Sequence, residues 1–180
     1  MDEELYNELH YTKERIEISI LYHRKRERFF ALCDRVAKAC ALVSGTAAFQ
    51  ALRSSTDHDG NTWALVIVLA FTLPSLLSLC FGWGDMARKH ASLAESFSRL
   101  IASISGTCNP TEKDLHEWNS QIGMIEAGEP AALTCLVSIC QNQIAIAAGQ
   151  FDKVSRLKWY QRWFAHFFDF SITTEQAPKT

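Results

Sequence analysis

The apolar residues of this chain concentrate in one charge-free run, "WALVIVLAFTLPSLLSLCFGW", from Trp63 to Trp83. As a helix, its 21 residues would extend roughly 31 Å, which matches a bilayer hydrocarbon core of about 30 Å. The two bounding tryptophans resemble the aromatic belts of membrane interfaces. Pro74 is compatible with a bilayer, where neighbouring helices and hydroxyl side chains satisfy the freed backbone groups. The run predicts a membrane span at 63–83, with the core helix of a soluble protein as the alternative.

A second, weaker run at 36–52, "VAKACALVSGTAAFQAL", precedes the first. It is at the short limit for a span, and its small residues supply little transfer energy. Those small side chains share one helical face, however, and such a face lets two helices approach closely in lipid. The helix-packing candidates are Ala37, Ala41, Ser44 and Ala48. A polar linker, "RSSTDHDGNT", follows at 53–62, so the two runs predict a transmembrane hairpin over 36–83. The alternative for the weaker run is an Ala-rich soluble helix.

The opposite face of the weaker run is polar, with Thr46, Gln50 and Arg53 in line toward the linker. Polar groups within a span are expected to face protein or water. Because a single hairpin cannot enclose a channel, several copies would have to contribute such faces to a ring. These three residues are the pore-lining candidates, and the predicted assembly is a homo-oligomer in the lipid bilayer.

Basic residues flank the predicted hairpin on one side of the membrane. Nine lie at the start of the first span or within about 20 residues of the outer ends of the two spans, whereas Arg53 alone lies in the linker, beside two aspartates. The nine are Arg24, Lys25, Arg26, Arg28, Arg35, Lys38, Arg88, Lys89 and Arg99. By the positive-inside rule both termini are cytoplasmic. With a net charge of -2, the basic run "HRKRERFF" favours anionic headgroups over nucleic acid, which is the lesser alternative.

Amphipathic helices are predicted on the cytoplasmic side of both spans. The N-terminal helix at 1–35 continues into the first span, and a stripe from Leu93 to Ile104 continues the second, so the two extensions can pack as an antiparallel pair. A further helix from Thr111 to Ile125 begins with an N-cap pattern, since Asp114 lies three residues after Thr111. Together these segments predict a cytoplasmic helical bundle over 84–149. With most of the chain outside the bilayer, a mean hydropathy of -0.05 is understandable.

The segment at 130–151 also lacks charge and could form a third span. Three consecutive amides, Gln141 to Gln143, would then need partners in lipid, and the basic residues after it would lie outside. A buried helix of the bundle is therefore favoured, with its apolar stripe at Leu133, Leu136, Val137, Cys140 and Ile144.

The last predicted helix, at 150–170, is rich in aromatic residues. Tyr160, Phe164, Phe167 and Phe168 gather on one side, with charged residues opposite, as in a helix lying at a membrane interface. Packing of this helix on the bundle is the equal alternative. The polar segment 171–180 is predicted to be a disordered tail.

Sequence patterns for catalysis or cofactor binding are missing from this chain. The six histidines have no metal-ligand spacing, the six cysteines form no CxxC pair, and no phosphate-binding glycine loop occurs. Glu126 and Glu129 are three residues apart, but Pro130 follows directly, so helix capping is favoured over catalysis. We therefore expect no enzyme activity, no metal and no cofactor.

Five short motifs occur in order along the chain and together cover roughly residues 22–149: "YHRKRERFF", "SGTAA", "FGWGDMARKHASL", "IEAGEP" and "CQNQ". Their order and spacing resemble the SLATT family of two-transmembrane effector domains. The resemblance implies a bacterial inner-membrane effector of antiviral defence that assembles and opens a pore when a linked sensor is triggered, causing abortive infection. Such sensors include cyclic-nucleotide-making enzymes and reverse transcriptases of the retron type. This chain differs from multidomain relatives in having no fused nucleotide-binding domain.

The expected fold class is thus an all-α membrane protein, a hairpin with long cytoplasmic helical extensions and a small helical bundle. The expected function is a pore-forming defence effector. Two rivals are a membrane-anchored adaptor, which recruits a partner protein and passes no ions, and a lipid-modifying enzyme, which would need a catalytic cluster that the sequence does not provide.

Overall fold

The protein is all-helical in the computed structural model, which describes residues 3–53 and 62–170, apart from the side chains of 47–49, 51–53, 62–65 and 67. No strand occurs within these ranges. The helices are α1 (Glu3–Arg53), α2 (Thr62–Phe81), α3 (Trp83–Gly106), α4 (Glu112–Glu126), α5 (Thr134–Ala147) and α6 (Trp159–Phe164), with a 3₁₀ turn at Phe151–Lys153. The predicted all-α class is confirmed. The predicted linker loop and the predicted tail lie outside the described residues.

Helix α1 is uninterrupted over 51 residues. No proline occurs in it, and its one glycine, Gly45, remains within the helix. The predicted N-terminal helix therefore continues directly into the weaker apolar run at 36–52, as expected from the sequence. At 1.5 Å per residue its length is about 76 Å.

The chain divides into two compact units, and α1 and α3 each contribute residues to both. We call residues up to Arg26 together with those from His90 onward the bundle unit, and Glu27–Lys89 the hairpin unit. The bundle unit thus includes the first half of α1, which the sequence assigned to a separate N-terminal segment.

The bundle unit contains a core formed by the stripes that the sequence predicts. Phe97 and Ile16 are fully buried, and Ile104 and Leu9 are nearly so. Helix α4 adds its own apolar face to the same cluster, at Leu115, Trp118 and Ile122. The predicted helical extensions of the two apolar runs therefore pack together, and α4 covers them.

The start of α4 is fixed by local hydrogen bonds. The Thr111 hydroxyl accepts from the Asp114 backbone N–H (3.3 Å), and the Asp114 carboxylate accepts from the Thr111 backbone N–H (2.9 Å). The hydrogen bond from the Thr111 hydroxyl, followed by that from its N–H, lowers the pKa of Asp114. The predicted N-cap is confirmed, and both reciprocal hydrogen bonds of a capping box are present.

Helix α5 forms a second cluster in the bundle unit. Cys135, Leu136 and Cys140 are buried there beside Tyr22 of α1. Two residues of the predicted stripe, Leu136 and Cys140, are therefore buried, while Leu133, Val137 and Ile144 are half-buried.

The C-terminal aromatic segment is not one helix, which corrects the predicted helix over 150–170. Helix α5 ends at Ala147, Gly149 just beyond it has a left-handed φ of +72°, and the chain has no regular structure between Lys153 and Trp159. Asn142 holds this segment, because its side-chain amide donates to the Ser155 carbonyl (2.7 Å) and accepts from the Ser155 N–H (2.8 Å). An amide that the sequence placed in a bundle helix thus fixes the extended chain beside it.

The hairpin unit consists of the second half of α1, helix α2 and the start of α3. The Ser75 hydroxyl donates to the Ala37 carbonyl (3.1 Å), and Gly84 lies beside the Asp34 carboxylate. From Ser75 in α2 to Gly84 at the start of α3 the residue numbers rise while those of their α1 partners fall from Ala37 to Asp34, so this stretch is antiparallel to α1.

A bend separates α2 from α3, where the sequence predicts one continuing helix. Gly82 has a left-handed φ of +56°, a conformation that favours glycine, and helix resumes at Trp83. Within the described residues no helix taken singly has both the length and the apolar composition to cross a bilayer. In the described part of the chain, one pair meets both requirements together, Val68–Phe81 and Trp83–Gly106, across a bend of 48°.

We predict that Asn142→Ala releases the extended segment, because it removes both hydrogen bonds to Ser155. Trypsin should then cut at Arg156 or Lys158 at least about tenfold faster than in the wild-type chain, at unchanged helix content. Gln143→Ala is the matched control, since it removes an exposed amide next in sequence. Equal cleavage rates of the two variants would contradict the assigned role of Asn142.

We also predict that His166 makes the stability of the folded chain decrease in acid. Burial, together with the charges of Arg26 and Lys25, lowers the pKa of His166 to about 4 from its ordinary 6.5. The unfolded chain therefore binds the proton first, so stability is complete above pH 6.5 and decreases as the pH falls toward 4. Because the ring is half-exposed, the expected loss is about 1 kcal/mol. Urea unfolding at several pH values should show this loss as a wild-type decrease that His166→Gln lacks.

Candidate functional site

Two imidazoles are completely buried in the bundle unit and hydrogen-bonded to each other. His23 of α1 and His90 of α3 are each 0% exposed, and their Nδ1 atoms are 2.9 Å apart. The other ring nitrogen of His23, Nε2, lies 3.0 Å from Oε1 of Glu129. A carboxylate and two imidazoles thus form a hydrogen-bonded chain, which we call the imidazole chain.

The imidazole chain constrains where protons can reside. One of the two facing Nδ1 atoms must donate and the other must accept, because two N–H groups would repel each other. When His23 is neutral and donates through Nε2 to Glu129, its Nδ1 accepts, so His90 donates. When His23 is charged, the direction reverses. Both directions keep the hydrogen bond between the two Nδ1 atoms.

Aromatic rings enclose the imidazole chain. The His23 ring stacks on Phe97 with centroids 5.8 Å apart, and Tyr22 contacts His23 edge-on at 5.2 Å. Burial raises the pKa of Tyr22, and its hydroxyl accepts a hydrogen bond from the Leu133 N–H (3.2 Å), which opposes that rise. These contacts fix both imidazole planes and keep them from water.

A cavity of about 430 Å³ opens next to this chain, and His23 and Glu129 form part of its wall. Arg15 and Glu126 stand at its outer edge, where Nη2 of Arg15 lies 2.6 and 2.5 Å from the two carboxylate oxygens of Glu126. The size lies in the range typical of small-molecule sites. The cavity is formed entirely within the bundle unit.

Glu126 and Glu129 do not cap a helix, which corrects the role favoured from the sequence. Helix α5 begins only at Thr134, and its N-cap residue, Leu133, makes no side-chain cap. The two carboxylates instead bind Arg15 and His23 of α1. The two carboxylates are therefore oriented by pairing with side chains of α1 and not by interaction with the end of a helix.

The sequence contained a signal for the imidazole chain that pattern searches for metal ligands miss. His23 continues the apolar stripe of α1 after Ile16 and Ile20, and His90 precedes Ala94 and Phe97 on the buried face of α3. A histidine at a core position of each of two helices predicted to pack together indicates a buried pair. The register of α1 against α3 that places His23 beside His90 could not be predicted from the sequence.

The pore-lining candidates lie in the hairpin unit. Thr46 and Gln50 are exposed and line one open groove of about 380 Å³ together with Ala41, Leu42 and Gly45. The Thr46 hydroxyl donates to the Val43 carbonyl (2.8 Å). The side chain of Arg53 lies outside the described residues.

The residues of the predicted small-residue face differ in their burial. Ala37 is buried against α2 and Ser44 is half-buried, but Ala41 is exposed in the groove with Thr46. The sequence placed Ala41 on the face opposite Thr46, and in the structure both line the open groove that passes over Gly45. The Ala48 side chain lies outside the described residues.

Of the membrane-interface candidates, those in the C-terminal segment are largely exposed. Phe167 and Phe168 are about 60% exposed, and Phe164 and Tyr160 less so. Trp83 is half-buried and stacks on Phe81 with centroids 6.5 Å apart, whereas the Trp63 side chain lies outside the described residues. Exposure of the aromatic rings agrees with either a membrane surface or a protein partner as their contact.

The cysteines, histidines and acidic residues assemble no metal centre in the part of the chain that the structure describes, and the six cysteines there form no disulfide. Burial raises the pKa of the Cys140 thiol to about 11. It therefore remains protonated and behaves as a small apolar side chain.

The chain matches no protein-family model, no curated protein and no solved structure.

We predict that His23 and His90 are energetically coupled. His90→Phe leaves a buried nitrogen of His23 without its partner and should destabilise the chain by about 1–3 kcal/mol. The double variant His23→Phe with His90→Phe should cost less than the sum of the single variants, by about 0.5–3 kcal/mol. Urea unfolding of all four proteins in one detergent measures this difference. Additive losses would show that the two rings do not act as a hydrogen-bonded pair.

Proposed function

We propose that the chain is a membrane effector of a bacterial anti-phage defence system, which oligomerises through its hairpin unit and passes ions across the inner membrane when a linked sensor is triggered. Its bilayer segment would comprise the second half of α1 and helix α2, with both termini in the cytoplasm.

The observation on which this proposal depends is the apolar surface of α2. Leu69, Leu73 and Leu79 are 61%, 57% and 82% exposed, and other exposed apolar residues surround them. These are Val66, Leu76, Leu77 and Phe81 on α2, with Leu32, Val36, Leu42 and Val43 on α1. Monomers in water seldom leave many large apolar side chains exposed together. Lipid tails or neighbouring copies would cover this surface favourably.

Hydroxyl groups in the hairpin unit support a bilayer location. Pro74 lacks an N–H, so the helix around it loses one backbone hydrogen bond. Close to it, Thr72 donates to the Val68 carbonyl (2.6 Å) and Ser75 donates across to Ala37. Each hydroxyl is thereby satisfied within the protein, as a segment surrounded by hydrocarbon requires.

The groove on α1 gives the proposed pore its polar wall. Thr46 and Gln50 present polar groups within an otherwise apolar region, and Gly45 and Ala41 allow another helix to approach closely. A Cβ added at Gly45 would meet no atom within 4 Å. Larger side chains there would leave the single chain undisturbed and affect only contacts between copies.

The family resemblance supplies the biological setting of this proposal. The motif order from "YHRKRERFF" to "CQNQ" resembles SLATT effectors, and the proposed trigger is a sensor protein or a nucleotide or nucleoprotein signal from a neighbouring gene. Direct binding of nucleic acid and enzymatic turnover are not part of the proposal.

A membrane-anchored adaptor is the second candidate, and one observation favours it. Trp159 and Trp163, one turn apart on α6, are 73% and 78% exposed. Aromatic side chains of this kind are typical of the centres of protein interfaces. An adaptor would use this surface to recruit a partner and would pass no current.

We predict that the purified chain passes current in planar bilayers and that two hairpin variants fail in different ways. Gly45→Leu adds bulk where helices of separate copies approach, so native mass spectrometry should show loss of the oligomer, with loss of current. Gln50→Leu replaces a polar wall by an apolar one, so the oligomer should persist while conductance decreases, by about tenfold if the constriction dewets.

Gly123→Leu is the matched control for Gly45→Leu. It makes the same substitution in a helix, at an exposed glycine of α4 with no atom within 4 Å of an added Cβ. This control should keep both the oligomer and the current. If the wild-type chain passes no current, and cells expressing it keep their membrane potential during phage infection, the pore is wrong and the adaptor takes its place.

A further inference from the structure

We propose that the cavity of the bundle unit is a binding site for a small organic ammonium ion, with Glu129 as its anionic anchor. This inference concerns the bundle unit alone and holds whether or not the hairpin unit forms a pore.

Glu129 has one carboxylate oxygen committed and one available. Its Oε1 lies 3.0 Å from Nε2 of His23, and the side chain is only 18% exposed. No hydrogen bond to Oε2 occurs among the described residues, and a carboxylate can accept several. A partly buried anion that lines a cavity with one open oxygen favours a ligand that donates a charge-assisted hydrogen bond.

The formal charge of the cavity wall favours a cation. Three carboxylates line it, those of Glu14, Glu126 and Glu129, against two basic side chains, Arg15 and Lys153. With His23 neutral, the balance is -1. Since Arg15 is already bound by Glu126 through both carboxylate oxygens, its charge is largely compensated and repels an incoming ammonium little.

Tyrosine rings give the site a place for the ligand body. Tyr22 lies on the inner wall, and Tyr11, which is 70% exposed, lies on the outer one. Aromatic faces attract organic cations and cover apolar groups attached to them. The cavity volume of about 430 Å³ accommodates a monoamine with one ring.

The outer ion pair can give way to a ligand at low cost. The side chains of Arg15 and Glu126 are 46% and 33% exposed, and exposed pairs contribute little to stability. The inner pair is different, because His23 is fully buried and held by His90 and Phe97. The site therefore combines a fixed anchor with an adaptable edge.

Tyramine and 4-ethylphenol test this proposal, because they differ in the presence of the ammonium group. Titration calorimetry of the full chain in detergent should give a Kd for tyramine below about 1 mM. The neutral 4-ethylphenol should bind at least about tenfold more weakly, since it cannot donate to the Glu129 carboxylate. Saturable binding of tyramine absent up to about 10 mM, or equal affinity for both compounds, overturns the proposal.

Glu129→Gln isolates the charge of the anchor. The glutamine keeps an oxygen that accepts from His23 but loses the negative charge, so tyramine affinity should fall at least about tenfold at unchanged helix content. Glu117→Gln removes an exposed carboxylate of α4 outside the cavity and should leave the affinity unchanged. Wild-type affinity in Glu129→Gln contradicts the proposed anchor.

Glu126→Gln serves as the second variant should Glu129→Gln lower the helix content. It leaves the Arg15 guanidinium uncompensated in the wall, which should weaken tyramine binding by about tenfold through repulsion. An unchanged affinity in Glu126→Gln overturns the proposed electrostatic selection. None of these measurements depends on ion conduction, so the pore and the amine site succeed or fail separately.

Discussion

Helix α1 has to satisfy two different surroundings without a break, and this requirement constrains the rest of the structure. Up to Arg26 its apolar residues form a stripe that α3 and α4 cover, as in a water-soluble bundle. Beyond Glu27 several of its large apolar residues, such as Leu42, are exposed in the hairpin unit, although Phe30 and Ala37 are buried. Since neither proline nor an irregular turn interrupts it, the change of surroundings is made by side-chain composition alone.

The sequence was informative where the determining interactions are local or periodic. Thr111 and Asp114 are three residues apart, so the capping box could be inferred before any contact was known. The stripes that include Ile16 and Phe97 repeat at helical spacing, so their burial could also be inferred. Both features depend on neighbours within a few residues or on the period of one helix.

The features that the sequence could not provide depend on contacts between distant residues. Asn142 and Ser155 prevent a single aromatic helix after α5, although the residues there have ordinary helix propensities. The bend at Gly82 results from one left-handed residue in a run whose composition favours a continuous helix. The cavity beside Glu129 requires the register of α1 against the segment after α4, which no periodicity specifies.

The contact between His23 and His90 has a consequence for hydrogen exchange. The proton between their Nδ1 atoms is shielded on all sides, because both rings are fully buried. Water can reach it only when α1 and α3 separate, and such openings occur with the free energy of the cooperative unit to which they belong. The exchange rate of this side-chain proton therefore reports the opening of the bundle unit, a role usually held by backbone amides.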